Sequence, residues 1–215
     1  GRGHGAGRPA RFHRWVPGAL AAAAFATYLL TLSRSAFPGL PAKSLSWHLG
    51  LDPYPTLLDP VWGFLVRLCA RLPGGNAALW TGWLAAGFGA LCVALAAALM
   101  MRVRYPIHDA HDPDETGREA TARGIAGLAS GLFLMLNVPF WIMSTRSLPG
   151  TFHLAMLLSA AWLFSEYQRT GRTSRLYLLG LLYGVGIVEF ATFWVFAPLA
   201  ALLVARAMLQ RAEFS

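Results

Sequence analysis

Residues 77–101, AALWTGWLAAGFGALCVALAAALMM, decide the fold of this chain. All twenty-five residues are uncharged. As a helix they would extend about 37 Å, enough to cross a hydrocarbon layer roughly 30 Å thick. The stretch therefore predicts a transmembrane helix. Gly82, Gly87 and Gly89 would let a second helix approach its backbone closely.

The rest of the sequence repeats the pattern. Hydrophobic residues make up 56% of the 215 residues and charged residues 13%, about half the charged share of a soluble domain. One soluble core of this size could not bury so much apolar surface. Further apolar runs cover Trp15–Leu32, Ile125–Met143, Thr151–Tyr167 and Leu176–Ala205. The last, at thirty residues, is too long for one upright span and too short for two full ones. It reads as one kinked helix or as two short segments turning near Glu189, with Gly184, Gly186 and Pro198 permitting a break. The expected fold is an all-α, polytopic transmembrane bundle of five or six membrane segments, occupying residues 15–215 behind a disordered basic tail, 1–14.

The net charge of +8 does not point to nucleic acid, because the Lys and Arg sit between apolar runs, as they do at the edges of membrane spans. With the N-terminus inside, the inside segments carry eleven Lys and Arg; the outside ones carry five, Arg34, Lys43, Arg67, Arg71 and Arg146. This asymmetry predicts a cytoplasmic N-terminus, an inside loop 102–124 and a Pro-rich outside loop 33–76. Within that outside loop Val61–Leu72 is amphipathic and reads as a helix lying on the membrane surface. Trp15, Trp47, Trp80, Trp141 and Trp162 fall near span ends and suit interfacial belts.

Chemistry is harder to place. His108, Asp109, His111, Asp112, Asp114 and Glu115 form a polar cluster without metal-ligand spacing, so it reads as a solvated inside loop. Cys69 and Cys92 form no disulfide framework and no metal pair. No set of residues has the spacing of a metal site. Asp52 and Asp59 stand in the outside loop, where a carboxylate can serve as general base or hold a divalent metal. Asp59-Pro60 also fits a helix N-cap with Pro at N1, the favoured reading, and Asp52-Pro53 can simply start a turn. Glu189 is the lone charge in the last apolar run, and is either at a surface turn or in a substrate-binding site. His48 and His153 have no visible partner and read as packed or interfacial residues.

Three blocks carry a family resemblance: YLLTLSRSAF followed by LGLDPYPTLLDPVWGFLVRL, LNVPFWIMSTRSLPGTFHLAMLLSAAWLF, and LYLLGLLYGVGIVEFATFWVFAPLAALL. Between Tyr28 and Leu203 the chain resembles the N-terminal part of bacterial protein O-mannosyltransferase-like, C-type glycosyltransferases. The resemblance implies an enzyme of the bacterial inner membrane that moves a sugar from a polyprenyl-phosphate carrier to an acceptor on the outer face. A catalytic role would bring in a divalent metal, with Asp52 the preferred acid and Asp59 behind it. It also implies a chain longer than these 215 residues. The polar signatures differ. Pro38-Gly39-Leu40-Pro41 replaces an Asp-Ser-Gly-Glu motif, Leu148-Pro149-Gly150 a Glu-Val-Tyr motif, and Glu189-Phe190 an Asn-His pair. A non-catalytic membrane subunit or assembly partner on the same scaffold is therefore the second expectation, and a transporter with a broken helix at Glu189 the third.

Overall fold

The computed structural model describes residues 15–53, 59–103 and 115–212, with side chains from 119 to 209 in the last segment. These residues form nine helices: α1 (Val16–Leu30), α2 (Leu40–Leu49), α3 (Pro60–Ala70), α4 (Ala77–Met100), α5 (Glu115–Leu136), α6 (Val138–Thr145), α7 (Gly150–Thr170), α8 (Thr173–Glu189) and α9 (Ala191–Ala212). The basic tail and the His108–Asp114 cluster lie outside the described residues.

The all-helical expectation holds. Two helices are long and apolar enough to cross a membrane, Ala77–Met100 and Ala191–Leu209. Glu119–Leu136 and Val138–Thr145 pass the same test jointly, as a pair bent by 65°. What reads as one span in Ile125–Met143 is therefore broken. The cause lies in Asn137-Val138-Pro139. Pro139 has no N–H to give the Met135 carbonyl four residues back. The buried Tyr28 hydroxyl donates to that carbonyl instead, at 3.2 Å. The Asn137 side chain accepts from the Phe140 N–H at 3.1 Å and starts α6 afresh.

Helix α4 is the axis of the bundle and packs against α1, α3, α5, α6 and α7. Asn76 caps its start, accepting from the Leu79 N–H at 3.0 Å. Its small residues Ala85, Ala86, Gly89 and Ala90 are buried against these neighbours. A Cβ at Gly89 would stand 2.5 Å from Ser144 Oγ, so glycine is required there, whereas Gly87 faces open space. Short polar side chains tie α4 to the start of α7. Thr81 donates to Ser147 at 2.8 Å, Ser147 to the Ala78 carbonyl at 3.1 Å, and Thr151 to the Ala85 carbonyl at 3.1 Å.

The outside-loop reading of 33–76 missed one helix, α2. Its proline sits in the first turn, where no N–H is needed, and Gly50 closes it in the left-handed conformation. The amphipathic segment is helical as expected. Trp62, Val66 and Cys69 of α3 turn inward, while Phe64 and Leu68 are exposed. The thirty-residue apolar run breaks at Phe190, whose backbone is extended, as the turn near Glu189 predicts. Gly186 makes this break compact, because Phe193 packs where its Cβ would be.

Candidate functional site: a carboxylate–histidine centre

Three element junctions meet at one end of the bundle. Asp59 immediately precedes α3, His153 lies in the first turn of α7, and Glu189 is the last residue of α8. Distant in sequence, they converge in space. One ligating atom of each residue lies within 4.8 Å of the others.

Glu189 is the anchor. Its side chain is fully buried, yet it has specific donors. Oε2 accepts from the Val61 N–H at 2.7 Å and Oε1 from the Trp62 N–H at 3.1 Å. These are two of the N–H groups that every helix leaves unpaired at its start. The carboxylate of one helix end thus caps another, where the positive end of the α3 dipole also favours it. Glu189 does stand at the turn between α8 and α9, but buried in a polar cluster and not at the surface.

Asp59 corrects the cap reading. It occupies the N-cap position with Pro60 at N1, as expected, but its side chain makes no capping hydrogen bond. Glu189 has taken the donors. Asp59 is also the one described non-glycine residue with positive φ, at 55°. Aspartate tolerates this left-handed backbone better than most residues. The conformation leaves the carboxylate free to turn toward His153.

His153 was missed. It has partners after all. Its Nε2 lies 3.3 Å from Asp59 Oδ1 and 3.5 Å from Glu189 Oε1. The ring is stacked on Phe190, centroids 4.4 Å apart and 13° from coplanar, so its plane is fixed. Yet the buried Nε2 hydrogen-bonds to neither carboxylate. The three groups are the described residues that could jointly hold a metal ion. The usable signal was the one that singled out Glu189, a titratable side chain beside an element break in apolar sequence.

Asp52 follows α2 and is not a member of this cluster. His48 serves packing. Its Nδ1 is 2.7 Å from the Ser44 carbonyl, and its ring fills the space over Gly63 that joins α2 to α3. Cys69 and Cys92 are both free and buried, and burial pushes the Cys69 thiol up, away from nucleophilic thiolate.

Beside the centre runs an apolar groove of about 740 Å³ between α7, α8 and α9. It follows α8 from Leu176 to Ile187, ending two residues short of Glu189. Small residues, among them Ala160, Gly180, Gly184 and Ala200, give it its width.

No family model matches the chain, and no curated protein or solved structure matches it either.

Proposed function

We propose that the chain is a membrane-embedded transferase of the C-type glycosyltransferase kind, taking a sugar from a polyprenyl-phosphate carrier at the outer face of a bacterial inner membrane. The observation that carries this reading is the convergence of Asp59, His153 and Glu189 at one end of the bundle. In this scheme the acceptor hydroxyl attacks the anomeric carbon of the donor. Asp59, with 22% of its side chain exposed, takes the hydroxyl proton, and the sugar–phosphate bond breaks to release polyprenyl phosphate. Glu189, fixed by the Val61 and Trp62 N–H groups, and His153, stacked on Phe190, line the place where the acceptor would sit beside Asp59. The apolar groove has the volume of a small-molecule site and suits a single hydrocarbon chain.

The membrane arrangement proposed with it has six segments, α1, α4, the bent α5–α6 pair, α7, α8 and α9, with the N-terminus inside. The Arg102–Glu166 ion pair supports this, because it joins the segment just after α4 to the last turns of α7. The Ser33 N–H donating to the Thr145 carbonyl at 3.3 Å likewise joins the ends of α1 and α6. Helix α3 then lies at the outer surface.

A second reading, a non-catalytic subunit working with other membrane subunits, is favoured by the replacement of the polar signature at Pro38–Pro41 and by the capping role of Glu189. Reconstitution into liposomes with a panel of radiolabelled undecaprenyl-phosphate sugars separates the two. Transfer that drops at least about 100-fold in Asp59→Asn supports the first, in line with loss of a general base. Transfer unaffected by Asp59→Asn would remove this residue from the chemistry. No turnover with any donor would leave the subunit reading.

A further inference from the structure

We propose that Asp59, His153 and Glu189 are the three protein ligands of a divalent transition-metal site of the zinc type. The inference deepens the transferase reading, since it concerns the same centre, but metal binding itself does not depend on transfer.

The first argument is distance. In a tetrahedral zinc site with bonds of about 2.0–2.2 Å, neighbouring ligand atoms stand roughly 3.3–3.5 Å apart. Nε2 of His153 lies at 3.3 Å from Asp59 Oδ1 and at 3.5 Å from Glu189 Oε1. A hydrogen-bonded imidazole would come closer, with its N–H aimed at one oxygen. Instead Nε2 is buried, with no hydrogen-bond partner.

The second argument is charge. Two carboxylates beside one imidazole leave negative charge uncompensated even when the ring is protonated. Glu189 is fully buried and His153 nearly so, at 9% side-chain exposure. Burying unbalanced charge is costly, and among the described residues the recorded ion-pair partner of both carboxylates is His153. A dication that takes the place of the ring proton balances both carboxylates.

The third argument is how the ligands are held. The Val61 and Trp62 N–H groups fix the Glu189 carboxylate while each oxygen keeps a second lone pair. Phe190 fixes the His153 ring. One imidazole and two carboxylates form a donor set for zinc or manganese, and three protein ligands leave a position open for an oxygen of substrate or water.

The test uses the whole chain, purified in detergent, stripped with a chelator and titrated with Zn²⁺ and Mn²⁺ while bound metal is counted by mass spectrometry. The wild type is expected to bind one ion per chain. Asp59→Asn and His153→Gln should each weaken binding at least about 10-fold, the lower bound for disturbing even an outer partner of a metal ligand. Because His108 and His111 offer a rival site, the double variant H108A/H111A is titrated in parallel and should bind like the wild type. The proposal is overturned if the wild type binds no stoichiometric metal, or if only H108A/H111A loses it. If His153→Gln aggregates, the visible spectrum of Co²⁺ bound to wild type decides. Tetrahedral absorption that Asp59→Asn abolishes supports the site, and its absence refutes it. Metal bound without sugar transfer leaves the site standing and the transferase reading refuted, and transfer without metal does the reverse.

Discussion

Glu166 and Glu189 pose the same physical problem at opposite ends of the bundle, and the chain solves it in two ways. Both carboxylates are nearly withdrawn from solvent, at 8% and 0% side-chain exposure. Glu166, near the end of α7, meets two guanidinium groups, Arg102 at 2.7 Å and Arg169 at 2.7 Å. Trp162 stands beside them, with Arg102 and Arg175 over its ring at 5.1 and 5.7 Å. Here charge is met by permanent charge, and the result is a tie between α4 and α7. Glu189 receives backbone N–H groups and an imidazole instead, with a second carboxylate beside it. Nothing there carries a permanent positive charge within the recorded pairs. One end is electrostatically finished, while the other retains negative charge that a substrate, proton or metal ion can answer. That difference, more than burial or acidity alone, singles out Glu189 and its neighbours as the candidate site.

The comparison would break most visibly with alanine at each glutamate. Glu189→Ala leaves the Val61 and Trp62 N–H groups without an acceptor, and orphaned buried donors cost about 1–3 kcal/mol each. We expect a loss of about 3 kcal/mol or more in thermal denaturation of the detergent-solubilised protein. Glu166→Ala should cost less than half as much, because the Arg102 and Arg169 side chains, 28% and 68% exposed, can turn to water. Equal losses would mean that the two ends are built alike.

A sharper test reverses the sign. Asparagine keeps the tolerance for left-handed backbone that position 59 requires, so Asp59→Asn removes charge alone. In chelator-treated protein this variant should melt at the wild-type temperature or above it, since one of two adjacent carboxylates is gone. Arg102→Met removes charge from the finished end and should lower the melting temperature. A clear loss of stability in chelator-treated Asp59→Asn would show that the His153 pairing, and not the residual negative charge, is what the centre is built for.

Much of this contrast could not be read along the chain. The spans were legible wherever local composition decides them: α4 from its uncharged run, and the α8–α9 break from length, Gly186 and the charge at Glu189. The bend at Asn137 was not, although Pro139 was in view, because a missing hydrogen bond predicts a break only when something else satisfies the carbonyl. That something is Tyr28, in a different helix. The site was legible by halves. Asp59 and Glu189 could be named as candidates, but Asp59 read best as a cap. Only packing reveals that Glu189 takes the cap donors and releases Asp59. His153 has no partner in its own stretch, and its approach to Asp59 and Glu189 exists only once α3, α7 and α8 meet.

The smallest expected effect concerns salt. Ion pairs near the surface are screened when ionic strength rises, because the Debye length falls from about 14 Å at 0.05 M to about 4 Å at 0.5 M. Hydrogen bonds from buried N–H groups are not. The melting difference between wild type and Glu166→Gln should therefore shrink over this range, by about 2 °C or less, because only the arginine partners, 28% and 68% exposed, face the dissolved ions. The difference between wild type and Glu189→Gln should hold constant, since glutamine keeps an acceptor for only one of the Val61 and Trp62 donors and the lost interactions lie out of reach of salt. Calorimetry of the six samples, two variants and wild type at each of the two salt concentrations with chelator present throughout, measures both differences at once. If the Glu189 difference shrank as well, ions would be reaching the centre from solution. The absence of arginine there would then reflect an open, hydrated end, not a protected one.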